Sequence, residues 1–156
     1  MTPVGKTEDR EYPNRPFVAV GILVVDFERN EVLLIRRGNE PGKGKYSIPG
    51  GLVEVGERLI DAARRELREE TSIDCEILDI IHVDEVIIRD KNGRVRWHYV
   101  LIDFLARPLS KNARASSDAE ETIWVNIDRA LDLDLTKSTR RLIRRFIEKY
   151  RTTNTH

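Results

Sequence analysis

Three glutamates in one stretch of this sequence point most directly to chemistry. Glu66, Glu69 and Glu70 stand three and four positions apart, a spacing that brings side chains onto one face of an α-helix. Like charges held this close repel one another unless cations neutralise them, so the cluster indicates a divalent-metal site. Because carboxylates offer only oxygen ligands, the pattern favours Mg²⁺ or Mn²⁺ over zinc or copper.

The same helix also has an ordinary interpretation. Asp61, Arg65 and Glu69 follow one another at intervals of four, and such oppositely charged pairs are common on solvated helices. The preceding loop shifts the balance towards a metal site. Gly50 and Gly51 allow the backbone to approach a ligand closely, and a carbonyl oxygen there could complete an octahedral shell that the carboxylates begin.

The stretch resembles the signature of the Nudix hydrolases, a superfamily that includes MutT-like and ADP-ribose pyrophosphatase-like enzymes. The signature positions are Gly51, Glu57 and the run Arg65-Glu66-Leu67-Arg68-Glu69-Glu70-Thr71-Ser72-Ile73. Ser72 is the one departure, because the family has glycine there. A serine forced into a left-handed conformation at a helix end should cost about 1 kcal/mol, but no metal ligand is lost.

The resemblance implies an α/β fold, the Nudix α/β/α sandwich with a mixed central sheet. It also implies that metal-activated water cleaves a phosphoanhydride bond in a nucleoside diphosphate linked to another group. The metal ligands that it implies are Glu66, Glu69, Glu70 and the carbonyl of Gly50. Bound metal would neutralise phosphate charge and lower the pKa of a bound water.

The remaining roles also follow from the resemblance. Arg65 corresponds to the family's orienting arginine, with Glu57 as its salt-bridge partner, and Gly51 is a structural position of the motif. Two candidates for the general base stay open, because relatives differ in this respect. One is Glu66 on the signature helix, and the other is Glu121, which lies in a polar stretch three positions before Trp124.

The substrate is less sharply indicated. The segments around Arg15–Gly21 and Arg36–Asn39 look like those of ADP-ribose pyrophosphatases, but no proline lies between Pro49 and Pro108, where many of these enzymes have one. ADP-ribose or a similar derivative is the preferred substrate, and a nucleoside triphosphate is the alternative. A nucleotide sensor without activity is disfavoured, because every signature carboxylate is retained and the chain leaves little room for a fused DNA-reading domain.

Three aromatic residues are candidates for holding the nucleotide base. Tyr46 lies in the glycine-rich loop, and Trp97 and Tyr99 occupy one face of a predicted strand. Aromatic rings can stack on a base in a manner that tolerates its identity. The competing interpretation places all three in the core or at a subunit interface, and a homodimer is left open.

The elements that must position these groups follow from hydrophobic patterning and turn signals. Asn92-Gly93 predicts a tight two-residue hairpin turn in which both residues take positive φ. The glycine-free stretch before Ser72 predicts a helix. Strands are predicted at 17–27, 31–35, 46–48, 75–88, 95–105 and 123–127, with helices at 57–71 and up to Tyr150.

Composition limits the remaining classes. At 156 residues the chain predicts one domain over 17–150, with a polar tail at 1–16 and a short tail at 151–156. Lys plus Arg and Asp plus Glu both total 27, so no overall field attracts a nucleic-acid polymer. No apolar run approaches the about 20 residues that span a membrane. Cys75 is the only cysteine, which fits a small-molecule enzyme of the cytoplasm.

Overall fold

The structure is a computed structural model that describes residues 10–113 and 119–154. Its strands are β1 (Phe17–Asp26), β2 (Glu31–Arg37), β3 (Tyr46–Ser47), β4 (Gly50–Leu52), β5 (Cys75–Arg89), β6 (Val95–Pro108) and β7 (Ala119–Asn126). Its helices are α1 (Leu59–Thr71), α2 (Ile127–Ala130) and α3 (Lys137–Asn154). In this part of the chain no helix is both long enough and apolar enough to cross a membrane.

Strand β1 organises a mixed sheet in the order β3-β2-β1-β6-β5. It runs parallel to β6 over Phe17–Val24, and it pairs antiparallel with β4 over Ala19–Gly21. Only its last two residues, Val25 and Asp26, pair with β2, which continues antiparallel with β7. The divergence of β1 and β2 opens the edge at which β4 and the glycine-rich loop lie.

Helices cover both faces of the sheet. Ala62, Ala63 and Leu67 of α1 pack with one set of β1 side chains, Val20, Ile22 and Val24. On the other face, α3 packs against the alternate set, and the contacting residues are Leu23, Val25, Leu142, Ile143 and Phe146. Because side chains alternate along a strand, β1 is apolar on both faces and is buried between the two helices. The predicted α/β/α sandwich with a mixed sheet is confirmed.

Several local predictions differ from the structure. The turn between β5 and β6 is longer than two residues, because Asp90 and Arg94 pair through their backbones and, of the Asn92-Gly93 pair, only Gly93 has a positive φ, of 84°. The first helix begins at Leu59 rather than Glu57, since Glu57 is turned towards Arg65. Strand β4 and helix α2 were not predicted, because both are short and β4 is rich in glycine.

The ends of the predicted elements also bear on the site. Ser72 has φ 64° and ψ 17°, and its N–H donates to the carbonyl of Arg68, so the serine adopts the left-handed conformation that the family's glycine would favour. Cys75 is buried in the core, as predicted. Helix α3 continues to Asn154, past the boundary predicted at Tyr150. Residues 1–9 and 155–156 of the predicted tails lie outside the described residues.

Candidate active site

Arg65 is the centre of the acidic cluster on α1. Its Nε and Nη2 donate to the two carboxylate oxygens of Glu57, at 2.7 and 2.9 Å. Its Nη1 donates to Glu66 at 2.7 Å and reaches Glu69 at 3.3 Å, and Nη2 also donates to the carbonyl of Leu52 at 3.1 Å. One guanidinium therefore neutralises part of three carboxylates and ties α1 to β4, with the pairing between Arg65 and Glu57 that the resemblance implies.

These contacts set the charge states of the cluster. The hydrogen bonds from Arg65 lower the pKa of Glu57 to about 2, although partial burial opposes the change. The same bonds raise the pKa of Arg65 above its already high value, so its charge is permanent. Burial raises the pKa of Glu66, while the hydrogen bond from Arg65 limits that rise. Glu66 is thus a partly desolvated carboxylate with one cationic contact on its protein side.

The two glycines of β4 let the carboxylates lie directly against the backbone. A Cβ atom on Gly51 would collide with the carboxylate of Glu66, and one on Gly50 would collide with the carbonyl of Val20. The N–H of Gly50 donates to Oε1 of Glu70 at 2.9 Å, and Glu70 is only 5% exposed. The geometry therefore brings Gly50, Gly51, Glu66 and Glu70 together at the open edge of the sheet.

The donor set fits a hard divalent cation. Glu66 and Glu70 lie one helical turn apart and both contact the β4 backbone, whereas Glu69 is more exposed and touches Arg65. Among the described residues, no three His, Cys, Asp or Glu side chains form a ready-made metal site. Mg²⁺ is commonly held by one or two carboxylates together with waters and substrate phosphates, so two glutamates and a backbone carbonyl are sufficient protein ligands.

Glu121 lies in a different environment. It is on β7 opposite Arg36 of β2, and its Oε2 accepts a hydrogen bond from the Tyr46 hydroxyl at 3.0 Å. Nη1 of Arg36 lies 3.9 Å from the same oxygen. Burial and this hydrogen bond raise the pKa of Tyr46. The structure thus joins two predicted site residues, Tyr46 and Glu121, to each other, but shows no contact between Glu121 and the glutamates of α1.

Trp97 and Tyr99 are buried within the described chain. They are 2% and 6% exposed, and their nearly parallel rings lie 6.5 Å apart. They pack with Ala19 and Leu52 in a small cluster between β1, β4 and β6. Leu52 directly follows the glycine that contacts Glu66, so this cluster adjoins the acidic site. Trp97 packs against Leu52 and Tyr99, and the Tyr99 hydroxyl is a buried polar group without a partner of good hydrogen-bond geometry among the described residues.

The structure also identifies functional candidates that the sequence reasoning missed. Arg37 ends β2 beside the site, and burial lowers the pKa of its guanidinium while the charge of Glu70 opposes that change. Asp103 is 3% exposed on β6, and burial raises its pKa to about 7. A carboxylate that interrupts the apolar run from Val100 to Ala106 was the available signal for Asp103. Arg10 lies in the predicted tail, where nothing in the sequence marked it.

This chain is similar to several known proteins. The model of the NUDIX domain family matches residues 15–146. An ADP-ribose pyrophosphatase from Methanocaldococcus jannaschii is 35% identical over 114 residues, and an ADPR-responsive transcriptional repressor from Acinetobacter baylyi is 30% identical over 129 residues. These alignments cover 72% and 80% of this chain, which spans only 63% and 50% of the two relatives.

A solved structure shows the same fold. The crystal structure of a MutT NUDIX hydrolase from Burkholderia pseudomallei superposes with a TM-score of 0.71 at 29% identity. The match covers 85% of this chain and 98% of that one.

Proposed function

The chain belongs to the Nudix family, and we propose that it is a Mg²⁺-dependent pyrophosphohydrolase that cleaves ADP-ribose or a similar nucleoside diphosphate derivative. The observation that carries the proposal is the placement of Glu66 and Glu70 against the Gly50-Gly51 backbone, with Arg65 holding the cluster in its ionised form. The relative from Methanocaldococcus jannaschii supports the choice of ADP-ribose.

Each residue has a defined task in this proposal. Glu66, Glu70 and the carbonyl of Gly50 would hold the divalent cation, with Glu69 as a further ligand from the exposed side. When bound, such a cation neutralises phosphate charge and lowers the pKa of a bound water. Arg65 keeps the carboxylates ionised and orients them through its fixed fork of donors.

The general base is assigned to Glu66 rather than to Glu121. Glu66 is partly buried against Gly51 within the acidic cluster, and its raised pKa makes it a better proton acceptor than an exposed carboxylate. Glu121 instead accepts a hydrogen bond from Tyr46 and faces Arg36. These contacts suit a role in shaping the loop around Tyr46.

A panel of nucleotides with identification of the products tests the proposal. With Mg²⁺, ADP-ribose should yield AMP and ribose 5-phosphate, whereas turnover of a nucleoside triphosphate to a monophosphate and pyrophosphate would support the alternative substrate. Mn²⁺ should replace Mg²⁺, and a chelator should abolish the reaction. Tight binding of ADP-ribose with no turnover of any nucleotide would instead assign the chain as a sensor, an outcome of interest because one relative is an ADPR-responsive transcriptional repressor.

A further inference from the structure

Two buried donors beside the acidic cluster lack partners. The hydroxyl of Tyr99 and Nε of Arg10 are both shielded from solvent, and within residues 10–113 and 119–154 neither has a partner of good hydrogen-bond geometry. The Arg10 guanidinium lies near the Tyr99 hydroxyl and lowers its pKa against the effect of burial. A buried polar group without a partner costs free energy, so native structures rarely keep one that has no ligand or water to bind. Both groups donate hydrogen bonds, which indicates that an acceptor belongs between them.

The segment that carries Arg10 is held firmly in place. The N–H of Tyr12 donates to the carbonyl of Arg96 at 2.8 Å, and Nε of Arg96 lies 3.1 Å from a carboxylate oxygen of Glu11. The Tyr12 hydroxyl donates to Asp90 at 3.0 Å, while the guanidinium of Arg94 lies 4.4 Å from the centre of the Tyr12 ring. These contacts dock the segment on the start of β6, at Arg96, three residues before Tyr99.

Arg10 faces the same region as the signature carboxylates. Its positive charge acts on both Glu66 and Tyr99, and Tyr99 packs with Leu52, the residue after the glycine that contacts Glu66. Arg37 approaches from β2, where its Nε donates to the carbonyl of Pro41 at 2.7 Å and its charge interacts with Glu70 and Tyr99. Two guanidinium groups and one hydroxyl therefore lie close enough to the carboxylates to interact with them.

We propose that Arg10, Arg37 and the Tyr99 hydroxyl form an anion subsite that binds the diphosphate oxygens of the substrate not engaged by the glutamates and their cation. This inference rests on the proposed function, because it assumes a diphosphate substrate. Guanidinium groups bind phosphate oxygens through paired N–H donors, and a phenolic hydroxyl adds one more. Two positive charges match an anion better than a neutral base, so Tyr99 contributes to phosphate binding rather than to base stacking.

The subsite predicts that its loss changes KM more than kcat. Since its donors contact the substrate and not the attacking water, their loss should weaken binding more than it slows the chemical step. Arg10→Met, which keeps the length of the side chain without its charge, is expected to raise KM for ADP-ribose about 10-fold or more while kcat changes less than about 3-fold. Arg10→Lys should recover part of the affinity, because lysine keeps the charge but loses the paired donors.

Arg15→Met is the matched control, since Arg15 is exposed on the same segment and lies outside the proposed subsite. It should leave KM and melting temperature unchanged. Tyr99→Phe removes only the hydroxyl, so it tests the subsite even if a variant at Arg10 fails to fold, and it should raise KM several-fold without loss of stability. Equal KM values for Arg10→Met, Tyr99→Phe and Arg15→Met would overturn the inference and leave the proposed activity intact.

Binding of ADP to the Glu66→Gln protein, measured by calorimetry, separates this inference from the proposed function. If the wild-type protein cleaves no nucleotide but Arg10→Met still weakens ADP binding about 10-fold, the proposed activity fails and the subsite stands. If ADP binds with the same affinity whether residue 10 is arginine or methionine, the subsite is wrong whatever the activity. If wild-type protein neither binds ADP nor turns over any nucleotide, both are wrong.

Discussion

Acidic side chains gather on both faces of the sheet, and the two groups differ in what neutralises them. On the α1 face, Arg65 contacts Glu57, Glu66 and Glu69, and the pKa of Glu57 falls to about 2. On the α3 face, Asp103 touches no cation among the described residues, and its pKa rises to about 7. Burial raises the pKa at both sites, and a guanidinium in direct contact opposes that rise, outweighing it at Glu57 and only limiting it at Glu66.

The neighbours of Asp103 show why it remains uncompensated. Its carboxylate lies over Gly21, where a Cβ would collide with it, and beside Ile48. The charged group that acts on it is Asp84 of β5, which raises its pKa further. Asp84 is also acidic, and it is the residue to which Arg141 donates at 2.8 Å, while Nε2 of His82 lies 3.6 Å from its Oδ2. The available cation is therefore held by Asp84, whose pKa it lowers against the effect of burial.

The largest effect is expected from removing the charge of Glu66 or Glu70, the proposed metal ligands on α1. Glu66→Gln or Glu70→Gln should reduce turnover with Mg²⁺ by about 1,000-fold or more, because polarisation by a bound metal is worth several kcal/mol. The fold should be retained, since each change removes one repelling charge. Asp61→Asn, at an exposed position on the same helix, is the control that should keep full activity. Near-normal turnover in either glutamine variant would refute the metal-ligand assignment.

The uncompensated carboxylate predicts a pH-dependent stability. In the native state Asp103 binds its proton more tightly than in the unfolded chain. Its protonation therefore adds fully to the free energy of unfolding below about pH 4, and this stabilisation is lost as the pH rises through about 7. Over this range the wild-type protein should lose up to about 4 kcal/mol of unfolding free energy through Asp103, and Asp103→Asn should abolish that loss. Asp84, with its lowered pKa, titrates below this window. Urea unfolding of both proteins from pH 4.5 to 8 measures the difference, and parallel curves would contradict the prediction.

Arg65→Lys should leave the carboxylates around Arg65 less well neutralised, and so more like the uncompensated Asp103. Lysine retains the charge, but a single ammonium group cannot reproduce the paired bonds to Glu57 together with those to Glu66 and Leu52. Because the site is partly exposed, we expect a loss of about 2 kcal/mol in unfolding free energy. Arg64→Lys, at an exposed neighbouring position, should be neutral. Equal stabilities of the two variants would show that charge alone holds the cluster.

The smallest effect is expected at the end of α1. Ser72 has φ 64°, so Ser72→Gly should raise the free energy of unfolding by about 0.5 to 1 kcal/mol by relieving the strain of a side chain in the left-handed region. Activity should change little, because Ser72 contacts none of the signature carboxylates. Thermal unfolding compared with that of Ser72→Ala, which keeps the Cβ, measures the gain. A destabilised glycine variant would mean that the serine itself stabilises this turn.

Much of the site was predictable because its information is local. Glu66, Glu69 and Glu70 share a helix face through their spacing alone, and the adjacent glycines Gly50 and Gly51 indicate a backbone that another group approaches closely. Runs rich in Val, Ile and Leu likewise predicted the long strands β1, β5 and β6. The short strand β4 escaped detection, because its pairing with β1 depends on a distant segment and its glycines lack strand propensity.

The sequence by itself determined the helix, its acidic face and the buried strands, because periodicity over neighbouring residues is sufficient to specify them. Only the tertiary structure decided that Arg10 and Arg37 lie near Tyr99, that Tyr46 binds Glu121, and that Arg141 pairs with Asp84. These outcomes depend on contacts between residues that are far apart in the chain. A charge state or a binding geometry is set by the few ångströms between side chains that folding brings together, and spacing in sequence carries no record of that distance.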